Sequence, residues 1–443
     1  MKAFPWVLRI GSIATVGLLL LFVRPTRTLA APAPGDIIPG QYIVVFHDWV
    51  RAPAREAQAV ATQHGLDPEV IYERVLRGFA AQVPPGRLAL LRRDPRVRFV
   101  AQDRVVTTAA PAMPAQAMPT GINRIEADLS STESGNGSAA VPIDVAVLDT
   151  GIQRNHPDLN VAGGHNCTSR SKGAWDDGHG HGTHVAGIIG ARDNNFGVVG
   201  IVPGARLWAV KVLNNQGFGS LSSLVCGLDW ADARSPFYGG NIRVANMSLG
   251  GIGSDDGSCG ILNFDPLHLA ICITVEDGVT IVAAGGNDEA DLAGFVPAAY
   301  DEVLAATAVA DYNGQPGGTA IATCRPDVDD TAADFSNFAV DIADQNHTIA
   351  APGVCIASTW RGGGYNVLSG TSMAAPHVTG TVALCIYAAL PSPNNCANMT
   401  PAQIIARLRS NAAARPAPYG FAGDPNSPNG TRYYGYLVYT GGY

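Results

Sequence analysis

The sequence predicts an α/β fold, a doubly wound parallel sheet covered by helices, preceded by a small α+β unit. Three observations predict it. From about residue 120 onward, short all-apolar runs alternate with helical stretches, and such runs mark strands buried on both faces. All eight cysteines lie after residue 166, which sets the N-terminal segment apart. Between the two regions runs Ala109-Ala110-Pro111-Ala112-Met113-Pro114-Ala115, small and proline-rich, with the composition of a linker open to proteases.

The elements follow in order. Residues 42–46 (YIVVF) read as a strand, 54–65 as a helix ended by Gly65, and 78–83 as a second strand. Residues 86–94 form a second helix and 97–106 a last strand of the α+β unit, which spans 36–108. In the larger region, 143–148 is a buried strand and 207–213 another, followed by a helix over 220–234. Further strands cover 242–249 and 279–284, separated by a helix near 265–277. Ligands of such sheets bind beyond the carboxyl ends of the strands, and Asp149 falls at one of these ends.

Composition narrows the function classes. Hydrophobic residues make up 47% and charged residues 15% of the chain, so a packed core is available and long disorder is excluded. Residues 115–443 carry 15 basic and 29 acidic side chains. A nucleic-acid partner would need a basic face, so none is expected. The first 35 residues have four basic side chains and no acidic one. The apolar run at 10–23 is too short for a membrane span, which needs ~20 residues. With small residues after it, it reads as an export signal over residues 1–31, with an uncleaved anchor as the alternative because Arg24 and Arg27 follow the run. An even cysteine count in an exported chain fits disulfides. Cys385 with Cys396, and Cys259 with Cys272, are close enough for local bridges. Six glycosylation sequons occur, of which Asn246 lies in a predicted buried strand.

Three segments carry the chemistry: Val147-Leu148-Asp149-Thr150-Gly151, Gly180-His181-Gly182-Thr183-His184, and Ser369-Gly370-Thr371-Ser372-Met373-Ala374-Ala375-Pro376. Acyl transfer needs a hydroxyl nucleophile, an imidazole to take its proton and a carboxylate to orient the imidazole. A serine opening a helix also gains from unpaired backbone N–H groups and the helix dipole. The run His179-x-His181-x-x-His184 has no acid or cysteine at metal-ligand spacing, which argues against zinc.

In motif and in the order Asp, His, Ser, these segments resemble the subtilisin and proteinase K family of serine proteases. The likeness runs from about Ala115 to the end, and 36–108 resembles the inhibitory propeptide of that family. It implies a subtilisin-like fold and a secreted endopeptidase made as a precursor: signal 1–31, propeptide with linker 32–114, catalytic domain 115–443. Asp149, His181 and Ser372 would be the triad and His184 a structural histidine. Asn287 would complete an oxyanion hole, although two glycines precede it where relatives have one. Gly217, Phe218 and Gly219, with Ser248, Leu249 and Gly250, resemble the two edges that sandwich an extended peptide. Leu221 matches a pocket wall four residues before the cut.

A structural Ca²⁺ is also implied, held by the side chains of Gln116, Asp158 and Asn194 and the carbonyls of Arg192, Phe196 and Val198, an all-oxygen set. No cofactor is expected for catalysis. The expected partners are polypeptide substrates and the chain's own propeptide as intramolecular inhibitor. No membrane partner is expected after signal removal, and the chain is expected to be a monomer. The propeptide tail, Val105-Val106-Thr107-Thr108, should lie in the cleft, with self-cleavage after Thr108 or within the linker. Broad specificity is the first expectation. A narrow processing protease or an inert binding protein of the same fold are the alternatives.

Overall fold

In the strand Asp144–Asp149, neighbouring side chains point to opposite sides. Val145 and Val147 join one buried cluster, Ala146 and Leu148 another. A strand with an apolar layer on each face has no polar alternation, which is why these strands read as continuous apolar runs. The computed structural model describes residues 37–108, 112–113, 119–137, 140–194, 196–387 and 395–443. The expected export signal, Gln116 and most of the proline-rich stretch lie outside the described residues.

The central sheet runs Thr331–Ala332, Leu304–Ala310, Thr280–Ala284, Val244–Met247, Asp144–Asp149, Arg206–Lys211, Val161–Asn166, and Thr348–Pro352 also pairs with Leu304–Ala310. Every pairing is parallel except that of Thr331–Ala332. One face is covered by the helices His181–Gly190 and Thr371–Tyr387, the other by Leu221–Asp232 and Pro266–Glu276. From Asp144–Asp149 the chain first builds outward on one side, then crosses to Val244–Met247 on the other. The order therefore reverses between these two strands, the place where open α/β sheets bind ligands.

The predicted strands are present with small shifts at their ends. One needs correction: 242–249 is not a single strand. It stops at Met247, and Leu249–Ile252 belongs to a different sheet. Polar residues mark the break, for Asn246 Nδ2 donates to Ser248 Oγ at 2.9 Å. Strands at Val161–Asn166, Leu304–Ala310 and Thr348–Pro352 and the helix Pro401–Ala413 were not foreseen.

The N-terminal unit has strands Ile37–Phe46, Pro68–Tyr72, Gly78–Gln82 and Val97–Thr108 and helices Pro53–His64 and Pro85–Leu91. Only Pro68–Tyr72 was missed. Gly65 ends the first helix at φ 66°, a left-handed conformation that suits glycine. The strand Val97–Thr108 extends beyond its own sheet. Its end pairs antiparallel with Phe218–Ser220 on one side (Thr107 opposite Phe218) and with Leu249–Ile252 on the other (Thr108 opposite Leu249). Residues Ala112–Met113 then pair with Leu368 and Val367.

This unit grips the helix Leu221–Asp232 at both ends. Asp103, fully buried, accepts bonds from the backbone N–H and hydroxyl of Ser222 at the helix start. There a carboxylate complements the helix dipole. Near the helix end, Asp229 Oδ1 accepts the backbone N–H groups of Glu73, Arg74 and Val75. All eight cysteines pair: Cys167–Cys226, Cys259–Cys272, Cys324–Cys355 and Cys385–Cys396. Both bridges expected from sequence are among them.

Candidate active site

Asp149 ends the central strand Asp144–Asp149, and both flanking strands on the far side of the switch feed the same region. Ser248 follows the end of Val244–Met247, and Asn287 follows Thr280–Ala284. Adjacent parallel strands thus deliver three polar residues to one edge of the sheet. His181 opens its helix, and its Nδ1 lies 2.8 and 2.9 Å from Asp149 Oδ1 and Oδ2. Asp149 and His181 are both fully buried. A carboxylate so placed fixes the tautomer with the proton on Nδ1 and leaves Nε2 as the base.

Ser372 is the second residue of the helix Thr371–Tyr387, where backbone N–H groups lack intrahelical partners. Its hydroxyl donates to the carbonyl of Ser248 at 3.1 Å, and His181 Nε2 has no hydrogen-bond partner. The hydroxyl is therefore turned away from the imidazole. For proton transfer to His181 that hydroxyl bond would have to be exchanged for one to Nε2.

Asn287 Oδ1 accepts from the backbone N–H of Thr371 at 2.8 Å and from its hydroxyl at 2.9 Å. Two donors on one atom settle the amide orientation and direct the NH₂ end away from Thr371. The second glycine of the Gly285-Gly286 pair is required: Gly286 has φ 103°, and a Cβ there would come within 2.3 Å of Asn337 Nδ2. Asn337 in turn accepts the N–H groups of Asp288 and Ala290, so it holds the loop after Asn287. No local sequence pattern pointed to Asn337.

Asp177 is a second residue that sequence reading missed. Its carboxylate accepts from Thr150 Oγ1, the N–H groups of His179, Gly180 and Thr183, and Thr183 Oγ1, at 2.6–2.9 Å. It caps the His181 helix and ties it to the residue after Asp149. His184 bonds through Nε2 to the carbonyls of Ile356 and Asn366. Burial, then the nearby His181, bring its pKa down to about 3, so it stays neutral. His179 is half-buried, its pKa lowered by burial, and it packs edge-on to His181.

The two segments expected to flank an extended peptide each include a strand in the fold. Gly217 has φ 82° and precedes the strand Phe218–Ser220, while Leu249 and Gly250 begin the opposite edge. Leu221 lines a cavity of about 410 Å³ with Val105, Ile252, Phe264 and Val296.

Of the proposed calcium ligands, Asp158 is fully buried, and its Oδ1 has no partner. Its Oδ2 accepts from Val198 N at 3.0 Å and from the Tyr365 hydroxyl at 3.1 Å. Arg192 N donates to the Asp158 carbonyl, and Asn194 Oδ1 accepts from Phe196 N. A buried carboxylate oxygen without a donor is the kind of group a cation satisfies, so the loop fits a calcium ion.

An imidazole held by a carboxylate and a helix-opening serine, both at the carboxyl-end edge of a doubly wound sheet, are the equipment of a hydrolase that works through serine. Comparison with known proteins makes the class specific. The subtilase family model matches residues 142–436. A thermostable alkaline protease of Halalkalibacterium halodurans is 35% identical over 391 residues, 88% of this chain and 90% of that protein. Subtilisin NAT of Bacillus subtilis subsp. natto is 33% identical over 402 residues, 89% of this chain and 91% of that protein. M-protease of Shouchella clausii is 36% identical over 384 residues, 85% and 88% of the two chains. This chain belongs to the subtilase family and is a serine endopeptidase that needs no catalytic cofactor. Among the described residues, no helix is long and apolar enough to cross a membrane.

Proposed function

We propose that the chain is an exported, self-processing endopeptidase of broad specificity. Ser372 is its nucleophile, His181 its base and Asp149 the carboxylate that orients the base. The hydroxyl of Ser372 attacks the scissile carbonyl as His181 Nε2 takes its proton. Asn287 and the backbone N–H of Ser372 stabilise the oxyanion. His181 then returns the proton to the leaving amine, and water releases the acyl group by the reverse sequence. Substrate binds as a strand between Phe218–Ser220 and Leu249–Ile252. Backbone bonds supply affinity there and few side-chain pockets restrict choice. Leu221 and its cavity favour a bulky uncharged residue four positions before the cut. The buried Oδ1 of Asp158 supports a structural Ca²⁺ beside Asn194.

One observation carries the self-processing reading: the strand Val97–Thr108 already occupies the place of a substrate between those two edges. Thr108 pairs with Leu249 and Ala112 with Leu368, which supports a cut in the linker between these pairings. Residues 36–108 are then an inhibitory propeptide, left behind when the acidic domain matures.

The test is the intact mass of the secreted protein beside that of Ser372→Ala, both made in a protease-poor host. The wild type should lose about the first 110 residues, for a cut in that linker, and the variant should keep them. Equal trimming of both would show that an outside protease matures the chain.

A further inference from the structure

A cluster next to the substrate cavity has no part in the reaction. His268, third residue of the helix Pro266–Glu276, is fully buried and stacks on Tyr300 with ring centres 4.1 Å apart. Its Nε2 lies 3.0 Å from Glu302 Oε2. Its Nδ1 has no hydrogen-bond partner. That nitrogen faces Asp255 Oδ1 at 3.7 Å and Asp256 Oδ1 at 3.6 Å. Both distances exceed hydrogen-bond reach. A buried polar nitrogen left without a partner is destabilising, so the position calls for an occupant.

The surroundings indicate what kind. Held by Glu302 through Nε2, His268 directs Nδ1 at the two carboxylates, and against the effect of burial the surrounding acids raise its pKa; a metal ion would take the Nδ1 lone pair in place of a proton. A histidine braced by an outer carboxylate is the usual arrangement around a bound metal. Both aspartates are oriented by backbone N–H groups. Gly257 and Asp301 hold Asp255, while Ser258, Gly260, Leu262 and Asn263 hold Asp256. A tetrahedral ion with bonds of about 2.0–2.2 Å separates its ligand atoms by about 3.3–3.6 Å, close to the spacing found. One imidazole and two carboxylates suit zinc or manganese better than calcium, which prefers oxygen alone. Two other groups of potential ligands occur among the described residues, but both contain cysteines tied in disulfides.

We propose that His268 Nδ1, Asp255 and Asp256 form a binding site for a divalent transition-metal ion, with Glu302 as the bracing carboxylate. The loop that carries the two aspartates continues through Asn263 and Phe264 into the wall of the cavity lined by Leu221. The same loop is tied to the same helix by Cys259–Cys272. A bound ion would fix that wall a second time and so set the shape of the pocket.

The test uses the full chain with Ser372→Ala to prevent self-digestion, stripped by chelator and refilled with excess calcium. Zinc is titrated at neutral pH by calorimetry. The parent should bind one zinc more than the same protein carrying His268→Gln. Glu302→Gln keeps all three ligands and should weaken that zinc about 10–100-fold. Because position 268 is buried, Asp255→Asn, at a side chain 20% exposed, provides a second variant; it should also lose or weaken the extra zinc. Circular dichroism checks that each variant is folded. Equal zinc number and affinity in the parent, His268→Gln and Asp255→Asn would overturn the proposal, as would a parent that binds no zinc here. In those cases His268 is an imidazolium held between the acids. The readout is binding, so it stands apart from any failure of the self-processing reading.

Discussion

The N-terminal unit and the α/β domain solve the problem of burial in different ways. The domain places a helical layer on each face of its sheet and adds four disulfides. The N-terminal unit has no cysteine, and its helices cover one face only. Val44, Phe46, Phe79 and Ala81 form its own core, while Ile43, Val45 and Ala80, on the opposite side of the same strands, pack among Leu224, Leu228 and Ile271 of the domain. The run of residues 42–46 is apolar throughout because one face is buried within the unit and the other against its neighbour. Half of the unit's apolar layer is thus borrowed. A segment built this way is ordered while it is docked and loses much of its stabilisation once separated, which suits its proposed role as a propeptide.

Three experiments would break or sharpen this comparison. The largest effect is expected from Phe79→Ala, which empties the small core and should cost about 3–5 kcal/mol. In scanning calorimetry of the Ser372→Ala chain it should lower the transition of the N-terminal unit and leave that of the disulfide-tied domain unchanged. A joint fall of both would mean that the two regions melt as one.

Asn287→Ala probes the other region. It should lower kcat by about 10²–10³, the loss that removing such a donor causes in subtilisin itself. KM on a peptide substrate and the melting temperature of the domain should barely change. A large rise in KM instead would make Asn287 a binding residue.

The smallest effect concerns the contact between the regions. Burial raises Asp103 from 3.8 to about 6 against the bonds it accepts from Ser222, and burial likewise raises Asp229 to about 6 against those from residues 73–75. Both lie higher in the docked state than when exposed. Their contribution to docking is therefore complete below about pH 4 and is lost as the pH rises through about 6. After cleavage, the N-terminal unit should leave the domain several-fold faster at pH 7 than at pH 4, seen as recovery of activity on dilution. Asp103→Asn should flatten that dependence, and an unchanged profile would remove Asp103 from the contact.

The sequence by itself determined the class of fold, because alternation of two-sided apolar strands with helices has few packed solutions. It also nominated Asp149, His181 and Ser372, each in a motif at a strand end or a helix start, while Asn287 and both peptide edges were nominated by resemblance to the family. The α+β elements before the linker were legible from local pattern. Tertiary structure decided the rest. Asn337 acts through backbone groups 47 and 49 residues away, and Asp177 ties the start of the helix that follows it to the hydroxyl of Thr150, 27 residues away; such distant bonds leave no local pattern. The break at Met247 depends on which sheet each half joins. Of the 105 ways eight cysteines can pair, spacing suggested only the two short bridges. The orphaned nitrogen of His268 exists only because the fold buries that helix turn against Tyr300 and brings the aspartates of a distant loop turn in front of it. What depends on neighbours in sequence could be read from the chain, and what depends on neighbours in space required the fold.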